Sequence, residues 1–351
     1  VLDSLPRRPR GRAAAAALHR ASGGRLGAPP AAPEAPYPLD LADRSVEPQI
    51  SQPGPIVDLF YERLSEDDLA RLDEHLRTHP PDIWSEADEP TRRAHAVPFA
   101  LWLELPGVDE RLGLSGAQPP EHIHHVASGP LAAGGGLLQA EQLHAALTEV
   151  GAPPGPDDAI LDFGCSSGRV VRVLAAARPD TRWLGCDPNA DAVAWANAHL
   201  PHIAFFASPL APPLPELADG ELTAAYAISI WSHFDAEPAL AWLEEMRRVI
   251  RPGGHLIVTT HGTHSVAYHA RRDGEYHQRA IFEALYRDGF LYFDVFDPDE
   301  GDWGVQSTGW GMAFMTAEWL QAQVTPSWSV QLFRPGAVEG NQDLYVLRRE
   351  R

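Results

Sequence analysis

The chain contains no lysine; all 28 of its basic side chains are arginine. Schiff-base catalysis, a lysine-anchored pyridoxal phosphate and the lysine of a P-loop are therefore excluded. Cysteine is almost as scarce, with Cys165 and Cys186 alone. That leaves no disulfide framework and no cysteine metal cluster, and a reducing cytoplasm is the expected compartment. No run approaches the roughly 18 apolar residues that cross a bilayer, so no membrane partner is expected. Positive charge is also short, with 28 basic against 48 acidic residues and a net charge of -20. Residues 1–50 carry seven of the arginines against five acids, so the remaining body stands at -22. An acidic body repels a polyanion, and nucleic acid is not expected as a partner.

With 351 residues and 44% hydrophobic content, the chain can bury a large core. Residues 1–54 are rich in Ala, Pro, Arg and Gly without period, and read as a disordered tail. Their RRPRGRAAAAALHR start has too short an apolar run, closed by His19 and Arg20, for a signal peptide. From Pro55 the pattern turns helical: Ser65 with Asp67 and Asp68 precedes LARLDEHLRTH, and a second helical stretch surrounds FALWLEL. Residues 55–135 are expected to form a helical region that acts as a lid over the main domain or as the arm of a homodimer. His122, His124 and His125 crowd together within it. Their H-x-H-H spacing has no cysteine or second histidine pair beside it, so it reads as a loop or site edge and no metal is expected.

The stretch that organises the rest is AILDFGCSSGRVVRV, residues 159–173. A short apolar strand ends at Asp162, small residues from Gly164 to Gly168 turn the chain, and a helical pattern follows. Such a turn lets backbone approach a ligand, and the helix start favours an anionic group. A dinucleotide fingerprint would need glycines at 164, 166 and 169, where the chain has Gly164, Ser166 and Arg169. Two of three fail, so NAD and FAD are disfavoured. A second strand, TRWLGCDP, ends in Asp187, where a carboxylate can accept from both hydroxyls of a ribose.

The first of these stretches resembles motif I of class I S-adenosylmethionine (SAM) dependent methyltransferases. In one group of these enzymes the motif reads LDFGCGxGR, and this chain keeps all of it except one glycine, replaced by Ser166. The resemblance extends in order through PPLP at 212–215, Ser229-Ile-Trp-Ser-His233-Phe, Ala241-Trp-Leu, Arg247-Arg-Val, Arg251-Pro-Gly-Gly, Thr260-His261-Gly and the closing QDLYVLRR. It covers residues 120–350 and leaves 1–119 unexplained. It implies an α/β, Rossmann-like seven-stranded sheet of order 3-2-1-4-5-7-6 with strand 7 antiparallel. The domain is expected over 136–351, with WSVQLFRPG as strand 6, NQDLYVLRR as strand 7 and a substrate-facing insertion at 263–315. Pro252, Gly253 and Gly254 are expected to turn the chain into strand 5.

The same resemblance implies a small-molecule methyltransferase that uses SAM, most readily on an oxygen acceptor in secondary metabolism or glycan tailoring. A peptide or protein methyltransferase and a SAM-binding protein without transfer are the alternatives. Carried over by matching position, Asp162, Gly164, Cys165, Ser166 and Gly168 face the methionine end of SAM, Asp187 the ribose, Pro188 and Ser208 the adenine, and Ile228 with Ser229 the sulfur. An oxygen acceptor gains from a general base near neutral pH, and His233 and His261 are the candidates. Trp231, Trp303 and Trp310 could wall a flat acceptor. Ser128, Gly129 and Gly134 to Gly136 suit a segment that closes over the cofactor.

Overall fold

Strand β1, Ala159–Phe163, is buried along its whole length. A strand covered on both faces belongs in the middle of a parallel sheet. In the computed structural model, which describes residues 54–78, 88–124, 136–266, 275–295, 309–338 and 340–351, β1 pairs in parallel with β2, Arg182–Asp187, on one side and β4, Leu222–Ala227, on the other. Strand β3, Ala204–Ala207, extends the sheet beyond β2, and β5, Ile250–His261, extends it beyond β4. Antiparallel to β5 runs β9, Gln342–Arg349, and antiparallel to β9 runs β8, Trp328–Val338. The continuous sheet is thus β3-β2-β1-β4-β5-β9-β8. It is the expected order, with the expected sixth and seventh strands at β8 and β9.

Two further strands were not expected. Residues Phe290–Phe293 form β6 and Met312–Met315 form β7, an antiparallel hairpin inside the expected insertion. It joins β5 only at its last residue, His261 opposite Phe314, beyond the point where β4 has ended. Four-residue strands whose pairing is settled by distant chain carry too little local pattern to read from sequence.

Helices cover both faces. On one lie α6, Leu137–Glu149, α7, Val171–Ala177, and α8, Ala190–His199; on the other lie α9, Ala236–Val249, and α11, Ala317–Val324. The side chains of β1 alternate between these faces: Ile160 packs into the first core, Leu161 and Phe163 into the second. A further helix, α10, Glu275–Asp288, precedes the hairpin. Its Phe282 and Leu285 form a small core with Phe314 and Val266.

The amino-terminal part is helical as expected, in α1, Pro55–Tyr61, α2, Glu66–Thr78, α3, Glu89–Trp102, α4, Val108–Leu112, and α5, Glu121–His124. These helices are not a separate body. Ile56, Val57, Phe60, Leu72, Val97 and Leu112 share one buried core with α6 and α7. Glu141 of α6 accepts the N–H groups of Ile56 and Val57, at 2.8 and 2.9 Å, and so caps α1 across the junction.

The turn expected at Arg251-Pro-Gly-Gly takes another form. Strand β5 begins at Ile250, directly after α9, and those four residues lie within it at an irregularity where the register to β4 shifts. Gly253 absorbs that bulge with φ +81°. Residues 1–53, His125, Ser128, Gly129, Gly134, Gly135 and Trp303 lie outside the described residues. Among the described residues no helix is long and apolar enough to cross a membrane, and no histidine, cysteine and carboxylate group could hold a metal ion. His122 itself is exposed.

Candidate active site

The carboxyl ends of β1, β2, β4 and β5 converge where the strand order reverses, between β1 and β4, which is where an open parallel sheet binds its ligand. The turn after β1 is built as its residues demand. Gly164 and Gly168 have φ of +82° and +79°, and Ser166 between them adopts φ +49°. Left-handed backbone is natural for glycine and costly for serine. The glycines also serve packing: a methyl on Gly164 would collide with Ile230, and one on Gly168 would press on Leu200 and Phe205. Helix α7 starts only at Val171 and is seven residues long.

The left-handed Ser166 turns its N–H onto Asp187. Its nitrogen lies 2.7 Å from Oδ2, and the N–H of Asn189 reaches Oδ1 at 2.8 Å. Asp187 is buried at the end of β2, facing the turn and not bulk water. Burial raises its carboxyl above the usual range, against the pull of the Asn189 and Ser166 amides. A carboxylate accepts about four hydrogen bonds, so two backbone donors leave room for a pair of hydroxyls. Pro188 is half-buried and follows directly, and Ser208 at the end of β3 donates its N–H to the carbonyl of Asp187 at 3.1 Å.

Beneath the turn, burial pushes Asp162 up to about 7, opposed by the Tyr226 hydroxyl and the Arg169 guanidinium. Cys165 and Cys186 are buried side by side, the N–H of Cys165 bonding the carbonyl of Cys186 at 3.0 Å. Burial lifts both thiols well above their ordinary range, which disfavours the thiolate form.

The chain leaving β4 makes the opposite wall. Ile228 and Ser229 are half-buried, and Ser229 has φ +58°. The β6–β7 hairpin is stitched to this segment: Gly311 N–H bonds the carbonyl of His233 at 2.8 Å, Ala313 N–H that of Ser232 at 2.8 Å, and Asp235 N–H that of Gly309 at 2.9 Å. His233 Nδ1 lies 2.7 Å from the carbonyl of Gly311. A carbonyl only accepts, so Nδ1 carries the proton and the lone pair of the neutral ring is on Nε2. Trp310 stacks on His233 with centroids 4.9 Å apart, and the His261 ring stands 6.1 Å from His233. The two histidines are thus neighbours, with His233 half-buried and His261 buried.

Of the tryptophans expected on an acceptor wall, Trp310 is half-buried at the hairpin, beside His233. Trp231 is a correction: it is fully buried and packs on Phe163 and Phe234, with its indole N–H on the carbonyl of Ala239 at 3.2 Å. The bend at Ser229 sends it into the core under α9, so it cannot face an acceptor. Gln342, Thr259 and Gly311, which touch the site residues directly, had no assigned role in the sequence. Gln342 and Thr259 lie 83 residues apart, and no local pattern links them.

Residues 160–254 match a protein family described as Methyltransferase domain. The demethylmenaquinone methyltransferase of Beutenbergia cavernae is 37% identical over 119 residues, which are 34% of this chain and 46% of that enzyme. The chain therefore spans about half the length of the curated relative it matches. Solved structures that resemble it include the PH0226 protein of Pyrococcus horikoshii OT3, with 14% identity, 63% of this chain and 93% of that one covered, and a TM-score of 0.43. An S-adenosylmethionine dependent methyltransferase from Mesorhizobium loti has 18% identity over 58% of this chain and 96% of its own, with a TM-score of 0.39.

Proposed function

We propose that this chain is a SAM-dependent methyltransferase that transfers a methyl group to an oxygen of a small-molecule acceptor, in secondary metabolism or glycan tailoring. The family match over 160–254 covers β1 to β4 and the first residues of β5, and so includes the turn after β1 and Asp187. The observation that carries the reading is Asp187: a buried carboxylate at the tip of β2, held in place by two backbone amides, with acceptor capacity left for a ribose diol.

SAM supplies a methyl group already activated on a sulfonium. What this chain contributes is position and a proton acceptor. Asp187 accepts the ribose hydroxyls, the turn 164–168 lines the methionine end, and Pro188 with Ser208 borders the adenine. Ile228 and Ser229 form the wall on the sulfur side. Fixing donor and acceptor in line supplies most of the rate advantage in a displacement of this kind. Nε2 of His233 would take the proton of the acceptor hydroxyl while the methyl carbon exchanges its bond to the sulfonium for one to that oxygen, with S-adenosylhomocysteine as the neutral leaving group. The Gly311 carbonyl holds Nδ1–H, so the ring presents Nε2 as its basic atom.

The test is incubation of the full chain with methyl-labelled SAM and a panel of phenols and sugars, with S-adenosylhomocysteine and labelled product measured by mass spectrometry. Label on an acceptor oxygen is the expected result. Label on a peptide side chain, or SAM binding without any transfer, overturns the small-molecule oxygen assignment.

A further inference from the structure

Three strands end around one amide. Gln342 opens β9 directly opposite His261, the last residue of β5, and its side chain is 6% exposed. Thr259, two residues back on β5, shares that face of the sheet. Ser229 lies just past the end of β4. The N–H of Ser229 donates to Thr259 Oγ1 at 2.8 Å, and the Thr259 hydroxyl donates to Gln342 Oε1 at 2.6 Å. Gln342 Nε2 then donates to Ser229 Oγ at 2.6 Å, which closes a cycle, and lies 3.4 Å from His261 Nε2.

The amide oxygen of Gln342 faces Thr259 and can only accept, so the single hydrogen of Thr259 Oγ1 goes to it. The amide therefore turns its NH2 group toward Ser229 and His261. His261 Nδ1 lies 3.2 Å from the carbonyl of Ala313, which only accepts, so Nδ1 carries the ring proton. Nε2 of His261 then faces a donor, the amide of Gln342.

Two consequences meet at the site. Ser229 is a non-glycine residue at φ +58°, a conformation that persists only where surroundings over-determine it, and both its N–H and its hydroxyl are held by this cycle. The bend it enforces carries Ile230 onto Gly164 of the turn. The basic atom of His261 is meanwhile turned to Gln342.

We propose that Gln342 is the positioning residue of the transfer site: its amide holds the left-handed bend at Ser229 and the Nδ1–H tautomer of His261. This rests on the methyl-transfer reading for its purpose, though not for its geometry. The probe is nitrogen-15 NMR of the histidine rings in the full chain, which reports which ring nitrogen bears hydrogen, together with calorimetric titration of S-adenosylhomocysteine.

In the unaltered chain at pH 7, His261 is expected to show a protonated Nδ1 and a bare Nε2. In Gln342→Glu, an isosteric acceptor replaces the donor, and His261 gains a second ring proton while the His233 signals keep their pattern. Thr259→Val frees the amide to rotate, and His261 then shows a mixture of tautomers. An Nε2–H tautomer in the unaltered chain overturns the assignment, and so does a His261 pattern indifferent to both substitutions. The measurement on the unaltered chain decides even where a variant fails to fold. Failure of the unaltered chain to bind S-adenosylhomocysteine would instead remove the methyltransferase reading and leave the tautomer result standing.

Discussion

Replacing Ser166 by glycine and by alanine tests the turn at its most unusual residue. The side chain stands on left-handed backbone, φ +49°, between two glycines of similar φ. Both substitutions delete the hydroxyl, so whatever it touches cancels in the comparison. What remains is the backbone. An L-residue in left-handed conformation costs roughly 1–2 kcal/mol, which the alanine variant would bear and the glycine variant would not. Glycine gives back about 0.5–1 kcal/mol through the greater freedom of its unfolded chain. The expected net difference is about 1 kcal/mol in favour of Ser166→Gly, or about 2 °C in melting temperature for a chain of this length. Urea denaturation of the two variants side by side measures it. Equal stability, or a more stable alanine variant, would refute the left-handed turn, and with it the reason why the Ser166 N–H meets Asp187.

Arg172 of α7 is almost fully buried and donates to four backbone carbonyls, of Ser115, Ala117, Ser167 and Gly168. Burial drags its guanidinium down to about 10. Since it ties the 113–117 loop to the turn, Arg172→Met is expected to cost about 2–4 kcal/mol and to speed hydrogen exchange in both segments together. Faster exchange in one segment only would refute the link. Asp343, buried beside Gly336 and Gly262, is pushed up to about 7 by burial. The folded chain keeps that proton up to neutral pH while the unfolded chain releases it near 4, so stability falls as pH rises through this window. Asp343→Asn should remove that loss, by up to about 4 kcal/mol above pH 7, and change little below pH 4. Melting curves that stay parallel from pH 4 to 8 would contradict it.

The parallel strands were legible because each is a buried apolar run with a turn signal at its end: AILDF before the small-residue turn, RWLGCD before Pro188. The linked blocks PPLP and AWLEEMRRV also have a physical basis. Glu245 accepts the Leu214 N–H at 2.6 Å, and Arg248 donates to the carbonyls of Leu214 and Leu217, each at 2.9 Å. Residues that bond each other across thirty positions of chain constrain one another. The site was legible where it is local, at the turn and at Asp187. It was not legible where it is assembled, because Gln342 meets Ser229 across 113 residues and Gly311 meets His233 across 78. Trp231 misled for a related reason: its neighbours in sequence face the site, and only the left-handed bend at Ser229 turns it inward.

The central claim is that the turn after β1 and the acid closing β2 together receive an adenosyl cofactor. Calorimetric titration of the full chain with S-adenosylhomocysteine, beside Asp187→Ala, tests it most directly. One molecule bound per chain, with affinity lost in the variant while its circular dichroism is retained, is the predicted result. No binding by the unaltered chain, or equal binding by both, would contradict it.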